Sequence, residues 1–391
     1  RSTIISIFLV LIFTLAALAP LVKNSFYSSH DGFTHTARIA AYYRTIKDGQ
    51  FPPRWATNLN GGMGSPIFTY IYPLPYFLGG VFHLVKFSYQ DCFRLVMIIS
   101  TIFSALFAFW WLRENFGNIP GIAGAVFYVW VPYRFLNLYV RGAYAENLAY
   151  TFIPLILLSS QKIFTGKKIN FWWSVLSLST AALLLSHNEI AAISLPICFL
   201  WSLLWTLITK KWKIFGLEIL AFAAAFLMSA FIYFPDLLER KFIRFDQGIS
   251  YYSDYFVPWW QLLKTSWGFG YDLPGVLRDN MSLQIGLANL LVIFLTIIVL
   301  IYTRLKNKLA LFFLGVWVFV IFLMIDEPLI RPLWKALPLI TTIVDFPWRF
   351  FEHEGYKDGI HGLIVNKFMQ MYRFLEFALY WELQGYPKIG S

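Results

Sequence analysis

Long apolar runs recur along the chain, separated by short polar stretches, and this spacing predicts membrane-crossing helices rather than the amphipathic helices of a soluble core. A spanning helix needs about 20 apolar residues. The runs fall at 3–22, 92–112, 119–138, 148–164, 171–185, 190–208, 215–234, 283–302 and 309–325, about nine in all. The predicted fold class is therefore an all-α polytopic membrane protein, a bundle of about nine transmembrane helices with a long first outer loop. The first run is expected to be a retained span rather than a cleaved leader, because Pro20 follows Ala19 where cleavage after a small residue would fall. The chain begins at Arg1 instead of Met, so a preceding segment is expected.

Basic residues set the expected orientation, since short cytoplasmic loops carry an excess of Lys and Arg. Three clusters, Lys162/Lys167/Lys168, Lys210/Lys211/Lys213 and Arg304/Lys306/Lys308, are read as cytoplasmic. Segments 23–65, 141–146 and 235–281, with His187 and 327–349, then lie outside. The apolar stretch 66–87 breaks this count, for a crossing there would invert every later loop. Pro73, Pro75 and Gly79-Gly80 interrupt it, so it is expected to be re-entrant or juxtamembrane at the outer surface.

Composition agrees with the pattern. Of the 391 residues, 58% are hydrophobic and 14% charged, against about 45–50% and about 25% for soluble domains. That excludes a soluble enzyme. The net charge of +11 falls in short clusters between apolar runs, with no basic stripe or recognition module, which excludes nucleic acid as partner. Cys92 and Cys198 both lie in apolar runs and are expected to stay unpaired.

The polar residues that remain are concentrated at the expected outer face. His30-Asp31 and His35 follow the first span directly, and a carboxylate with two imidazoles suits a general base or a metal site. The plainer alternative is that Asp31 caps the helix after it. Arg141 opens a later span with Glu146 close behind, and a guanidinium fork suits a phosphate. His187-Asn188-Glu189 joins two spans, and Asp345 and Arg349 flank an aromatic patch past the last one. No Walker loop, Rossmann fingerprint or HExxH motif occurs.

Several of these strings resemble a known family. His30-Asp31 with His35, Gly49-Gln50-Phe51-Pro52-Pro53-Arg54-Trp55, Gly64-Ser65-Pro66 and Tyr72-Pro73-Leu74-Pro75-Tyr76 are similar to segments of bacterial and archaeal polytopic membrane proteins. Those proteins carry the label 6-pyruvoyl-tetrahydropterin synthase-related domain. Arg141-Gly142-Ala143-Tyr144-Ala145-Glu146, Ser186-His187-Asn188 and Phe346-Pro347-Trp348-Arg349-Phe350 continue the match over roughly 1–350. The layout is also similar to the GT-C superfamily, membrane glycosyltransferases that take sugar from a polyprenyl-phosphate donor. That superfamily places an essential acid in the first outer loop, and Asp31 is the matching position.

The resemblance implies two parts, a GT-C-like transmembrane domain over 1–350 and a tail over 351–391. The tail resembles the amphipathic C-terminus of family-2 glycosyltransferases, and is expected to be a fusion or assembly artefact. The resemblance also implies a function: transfer of a sugar from a polyprenyl-phosphate donor to an acceptor at the outer face of a prokaryotic plasma membrane. Asp31 would be the catalytic residue. Arg54, Arg141 and Arg349 would hold the donor phosphate, and His30, His35, Glu146, His187 and Asp345 would line the cavity. The loop departs from the superfamily in offering His30-Asp31 where paired acids are common, so no metal ligand is assigned and a divalent cation stays an open cofactor. The partners are the lipid-linked donor and membrane lipid. The competing readings are a flippase or transporter of lipid-linked glycans, or a membrane scaffold subunit.

Overall fold

The computed structural model describes residues 2–22, 26–166, 168–239, 256–270 and 281–325. Asp345, Arg349 and the expected tail 351–391 lie outside the described residues. Among those described, the chain is helical and no strand occurs. The elements are α1 (Ser2–Val22), α2 (Gly32–Lys47), α3 (Ile67–Tyr70), α4 (Leu74–Leu84), α5 (Tyr89–Phe116), α6 (Asn118–Trp130) and α7 (Pro132–Phe135). A π-turn, Leu136–Arg141, leads on to α8 (Tyr144–Phe164), α9 (Ile169–Leu184), α10 (Asn188–Thr209), α11 (Trp212–Glu239), α12 (Trp259–Leu263), α13 (Leu287–Tyr302) and α14 (Lys308–Met324).

Each of the apolar runs read from the sequence contains a helix, but not every helix is a span by length and hydropathy. Four are: α1, α5, α10 and α11, with a fifth if the two pieces from Asn118 to Arg141 count as one. The run 119–138, expected as one helix, breaks at Val131. Pro132 has no N–H to continue the ladder and instead starts a new helix as its first residue. Helices α9, α13 and α14 are apolar but only 16, 16 and 17 residues long. Large apolar side chains face outward on the long helices, such as Ile4 at 72% and Leu227 at 75% exposure. A surface of that kind is stable against lipid and not against water.

The described residues divide into two compact units. One comprises residues up to 129 and 137–239; the other comprises 130–136, 256–270 and 281–325. In the second, Ile285 N–H donates to the Leu262 carbonyl at 2.9 Å and Val257 N–H to the Met324 carbonyl at 2.8 Å.

The first unit holds the candidate residues. Small and polar side chains join its helices, because lipid supplies no hydrophobic drive between them. Asn147 of α8 donates to the Met97 carbonyl of α5 at 3.0 Å and to Ser100 Oγ at 2.6 Å, and Thr151 Oγ1 donates to the Ser100 carbonyl at 2.9 Å. Prolines add two further links. Pro154 cannot donate to the Tyr150 carbonyl one turn back, and the Tyr128 hydroxyl takes that carbonyl at 2.8 Å. Pro235 leaves the Phe231 carbonyl open in the same way.

Hydrogen bonds also fix which helix ends meet. At one end Asn118 Nδ2 donates to Ser2 Oγ at 2.7 Å, Asn115 Nδ2 to Gln161 Oε1 at 2.8 Å, and Lys211 Nζ to the Phe164 carbonyl at 2.7 Å. At the other, the Tyr139 hydroxyl donates to the Ala17 carbonyl, Leu74 N–H to Leu185 at 3.0 Å, and the Tyr70 hydroxyl to Glu239 at 3.1 Å. The chain from α1 to α5 therefore leaves and re-enters at one end. Within 66–87 the longest helix, α4, has 11 residues, about 16 Å of rise, shorter than a single span requires. Both cysteines are buried and free.

A candidate polar site at the head of α2

The core beneath this end is aromatic: Tyr42, Phe68, Tyr76, Phe93 and Tyr144 pack with Leu18, Leu21, Ile39 and Met97. On top of it, the turn before α2 docks against the end of the π-turn. His30 N–H donates to the Val140 carbonyl at 2.9 Å and Asp31 N–H to the Arg141 carbonyl at 2.8 Å. Gly142 permits this approach. Its φ is +66°, and a Cβ there would stand 2.5 Å from Ser29 Oγ and 3.1 Å from Gly32 N. A glycine is the residue that fits both the left-handed backbone and the absent space.

Arg141 is fixed by its neighbours. Its Nη1 donates to Asn137 Oδ1 at 2.8 Å and to Glu146 Oε2 at 2.7 Å, while Asn137 Nδ2 donates to Glu146 Oε1 at 2.9 Å. The Tyr150 hydroxyl also donates to Glu146 Oε1. Glu146 is 5% exposed and Arg141 28%, so this is a half-buried pair whose carboxylate accepts hydrogen bonds on both oxygens.

Asp31 occupies the N-cap position of α2, yet its side chain makes no capping hydrogen bond. The structure therefore does not use this carboxylate as the plainer reading of the sequence supposed. Asp31, His35, Arg38 and Tyr42 follow one another at helical spacing and share one face of α2. His35 is buried, and its Nδ1 shares a 3.0 Å hydrogen bond with the Tyr76 hydroxyl. Tyr76 stacks on Tyr72 with ring centroids 6.3 Å apart, and Tyr72 stacks on His187 at 4.9 Å. His187 Nδ1 lies 3.1 Å from Glu189 Oε2 and 3.4 Å from the Ile190 N–H. One nitrogen cannot serve both, and the shorter contact makes it a donor to the carboxylate.

The charges of this cluster act on one another. Burial first, then the charges of Arg38, His187 and Arg141, hold the His35 imidazole well below its ordinary pKa of 6.5. Burial, then Tyr76, raises the Tyr72 hydroxyl, with Arg38 opposing and Glu189 and Asp31 adding to the rise. Asp31, His35, Arg141, Glu146 and His187 are thus brought together, as is His30 through its backbone. Arg54 is engaged differently: its Nη2 donates at 2.8 Å to the Phe231 carbonyl that Pro235 leaves open. Sequence reading assigned no site role to Arg38, Tyr72, Tyr76 or Asn137, although Tyr72 and Tyr76 stand in one of the family-like strings. For Arg38 the signal was present in its spacing from Asp31 and His35. Among the described residues, no group of three or more His, Cys, Asp or Glu side chains is placed to hold a metal ion.

The depressed His35 pKa makes a stability prediction. The unfolded imidazole takes a proton near 6.5, its ordinary value, whereas the folded one stays neutral to lower pH. Below pH 6.5 the unfolded state binds more protons, so stability falls on acidification, by up to about 1.4 kcal/mol per pH unit. Melting temperatures in detergent are expected to drop more steeply from neutral to acidic pH in the wild type than in His35→Gln. Parallel curves would rule out this linkage.

Two similarities bear on the site. Residues 68–353 match the sequence family described as "6-pyruvoyl-tetrahydropterin synthase related domain; membrane protein". A protein of Lactococcus lactis subsp. cremoris (strain MG1363), described as "Uncharacterized protein", is 28% identical over 243 residues. That alignment covers 59% of this chain and 39% of the relative, so the chain spans well under half the length of that protein.

Proposed function

The chain belongs to the family of membrane proteins with a 6-pyruvoyl-tetrahydropterin synthase-related domain, and within that frame we propose that it is an integral membrane glycosyltransferase. In this reading it adopts a GT-C-like bundle of about nine spans over 1–350, followed by a tail over 351–391, in a prokaryotic plasma membrane. It moves a sugar from a polyprenyl-phosphate donor to an acceptor hydroxyl at the outer face.

The single observation that carries the proposal is the state of Asp31. A carboxylate at a helix head normally accepts a backbone N–H, but this one makes no capping bond, and its charge acts on the Tyr72 hydroxyl. It is left available for a substrate. In the proposed step the acceptor oxygen bonds to the anomeric carbon while the bond from that carbon to the donor phosphate oxygen breaks. The acceptor proton passes to Asp31, and the electron pair leaves with the polyprenyl phosphate. Negative charge grows on the leaving phosphate, and fixed cations stabilise it best where water is excluded. Arg54, Arg141 and Arg349 are assigned that role. Asn137 and Glu146 hold Arg141 in place at short distances, the kind of preorganisation electrostatic stabilisation requires. In this reading His30, His35, Glu146, His187 and Asp345 would line the cavity that receives the donor.

The test is an assay of the full chain in proteoliposomes with a labelled polyprenyl-phosphate sugar and a mixture of hydroxyl acceptors. Label is expected to leave the lipid fraction for the acceptor. Movement of labelled donor between leaflets without transfer would overturn the enzyme and favour the transporter. Neither transfer nor movement would favour the scaffold.

A further inference from the structure

Far from the α2 cluster, the same unit buries a second carboxylate. Glu218 lies in the second turn of α11 and is 0% exposed. Ser160 Oγ of α8 donates to Glu218 Oε2 at 3.1 Å, and Ser202 Oγ of α10 donates to the same oxygen. Three helices therefore meet on one carboxyl oxygen. The other, Oε1, is buried and has no hydrogen-bond partner. Among the described residues Glu218 makes no ion pair.

We propose that Glu218, with Ser160 and Ser202, is a reversible proton-binding site within the membrane. A carboxylate ion buried without a counter-charge costs several kcal/mol or more, and an ionisable group inside a membrane helix is kept for a purpose. The geometry identifies the ligand. Both serine hydrogens already point at Oε2, which leaves one open oxygen. A metal ion needs several oxygen ligands; a proton needs one.

The surrounding ionisable groups do not supply a counter-charge. Lys162 of α8 pairs with Glu114 of α5, and Lys211, just before α11, donates to the Phe164 carbonyl. Helix α9, which packs along α11, carries no ionisable side chain between Ile169 and Leu184. On α10 the titratable groups are Cys198, one turn from Ser202, and Glu189 at the opposite end. On α11 itself Lys213 stands ahead of Glu218, with Tyr233, Asp236 and Glu239 at the opposite end.

The position explains exchange. Glu218 is about 9 Å along the helix from Trp212, at the end where the basic residues gather, so protons have a short path to bulk water. Losing the proton leaves an unpaired charge where α8, α10 and α11 meet, and regaining it restores their contact. The site thus links proton occupancy to the packing of three helices.

The experiment uses dicyclohexylcarbodiimide, an apolar reagent that reacts with protonated carboxyls in membranes. The acid proton moves to a carbodiimide nitrogen while the carboxyl oxygen bonds to the central carbon, and the adduct rearranges to a stable acylurea. With the full chain in nanodiscs and peptide mapping by mass spectrometry, Glu218 is expected to carry the label near neutral pH. Labelling should fall at least about tenfold as pH is raised to about 10, and Glu218→Gln should abolish it. An unlabelled Glu218, or labelling indifferent to pH, overturns the proposal. Protection by sodium chloride but not by choline chloride at fixed pH also overturns it, because the occupant would then be a metal cation.

Discussion

Asp31→Asn is expected to lower sugar transfer by about 10²–10⁴-fold, the range a positioned general base supplies, with little change in donor affinity or in melting temperature. The separation of these readouts follows from local structure. The Asp31 carboxylate makes no capping bond, so the fold loses no hydrogen bond when it becomes an amide, and Asn is as good an N-cap residue as Asp. The backbone N–H that docks on the Arg141 carbonyl at 2.8 Å is untouched. What changes is charge and proton affinity at nearly constant shape: an amide is neutral and cannot take the acceptor proton. Transfer by Asp31→Asn at the wild-type rate would remove Asp31 from catalysis. Loss of rate together with a large fall in melting temperature would instead make the residue structural.

The four or five helices long and apolar enough to span were legible in the sequence, because burial in lipid leaves a coarse, local signature: a long apolar run ends where charge begins. The π-turn and the break at Val131 were not, since hydropathy stays high through 119–138 while a single missing N–H at Pro132 decides the geometry. The interruption of 66–87 was legible from its prolines and glycines, and its longest helix, α4, has 11 residues.

At the site, Asp31, His30 and His35 were visible as a short polar string. Their company was not. Tyr72 meets His187 across more than a hundred residues, and Tyr76 reaches His35 from α4. Pairings at that separation have no sequence period. Arg54 shows the limit most clearly. Its charge was visible, but the carbonyl that its Nη2 meets is opened by a proline far along the chain and has no signature near Arg54. Glu218 was readable as a lone acid in the apolar run 215–234, but the serines that hold it come from two other helices.

Glu146→Ala is the substitution expected to damage the fold most. It removes the carboxylate that receives Arg141, Asn137 and Tyr150, so that Arg141 keeps its bond to Asn137 Oδ1 but loses its counter-charge. Breaking a buried pair from one side costs about 3–5 kcal/mol; the lower end applies because Arg141 retains 28% exposure and water recovers part of its solvation. Glu146→Gln keeps one acceptor oxygen, for Arg141 or Asn137 but not both, and should cost less, about 1–3 kcal/mol, because the shape and one acceptor are kept while the charge is lost. The consequence should reach Asp31, whose N–H is held by the Arg141 carbonyl. Thermal unfolding in detergent should therefore rank wild type above Glu146→Gln and Glu146→Ala lowest. Pairing Glu146→Ala with Arg141→Ala should recover part of the loss, because removing both partners abolishes the unpaired charge. A double variant as unstable as the sum of the two singles would show that the pair is not coupled and that Arg141 is held by something other than Glu146.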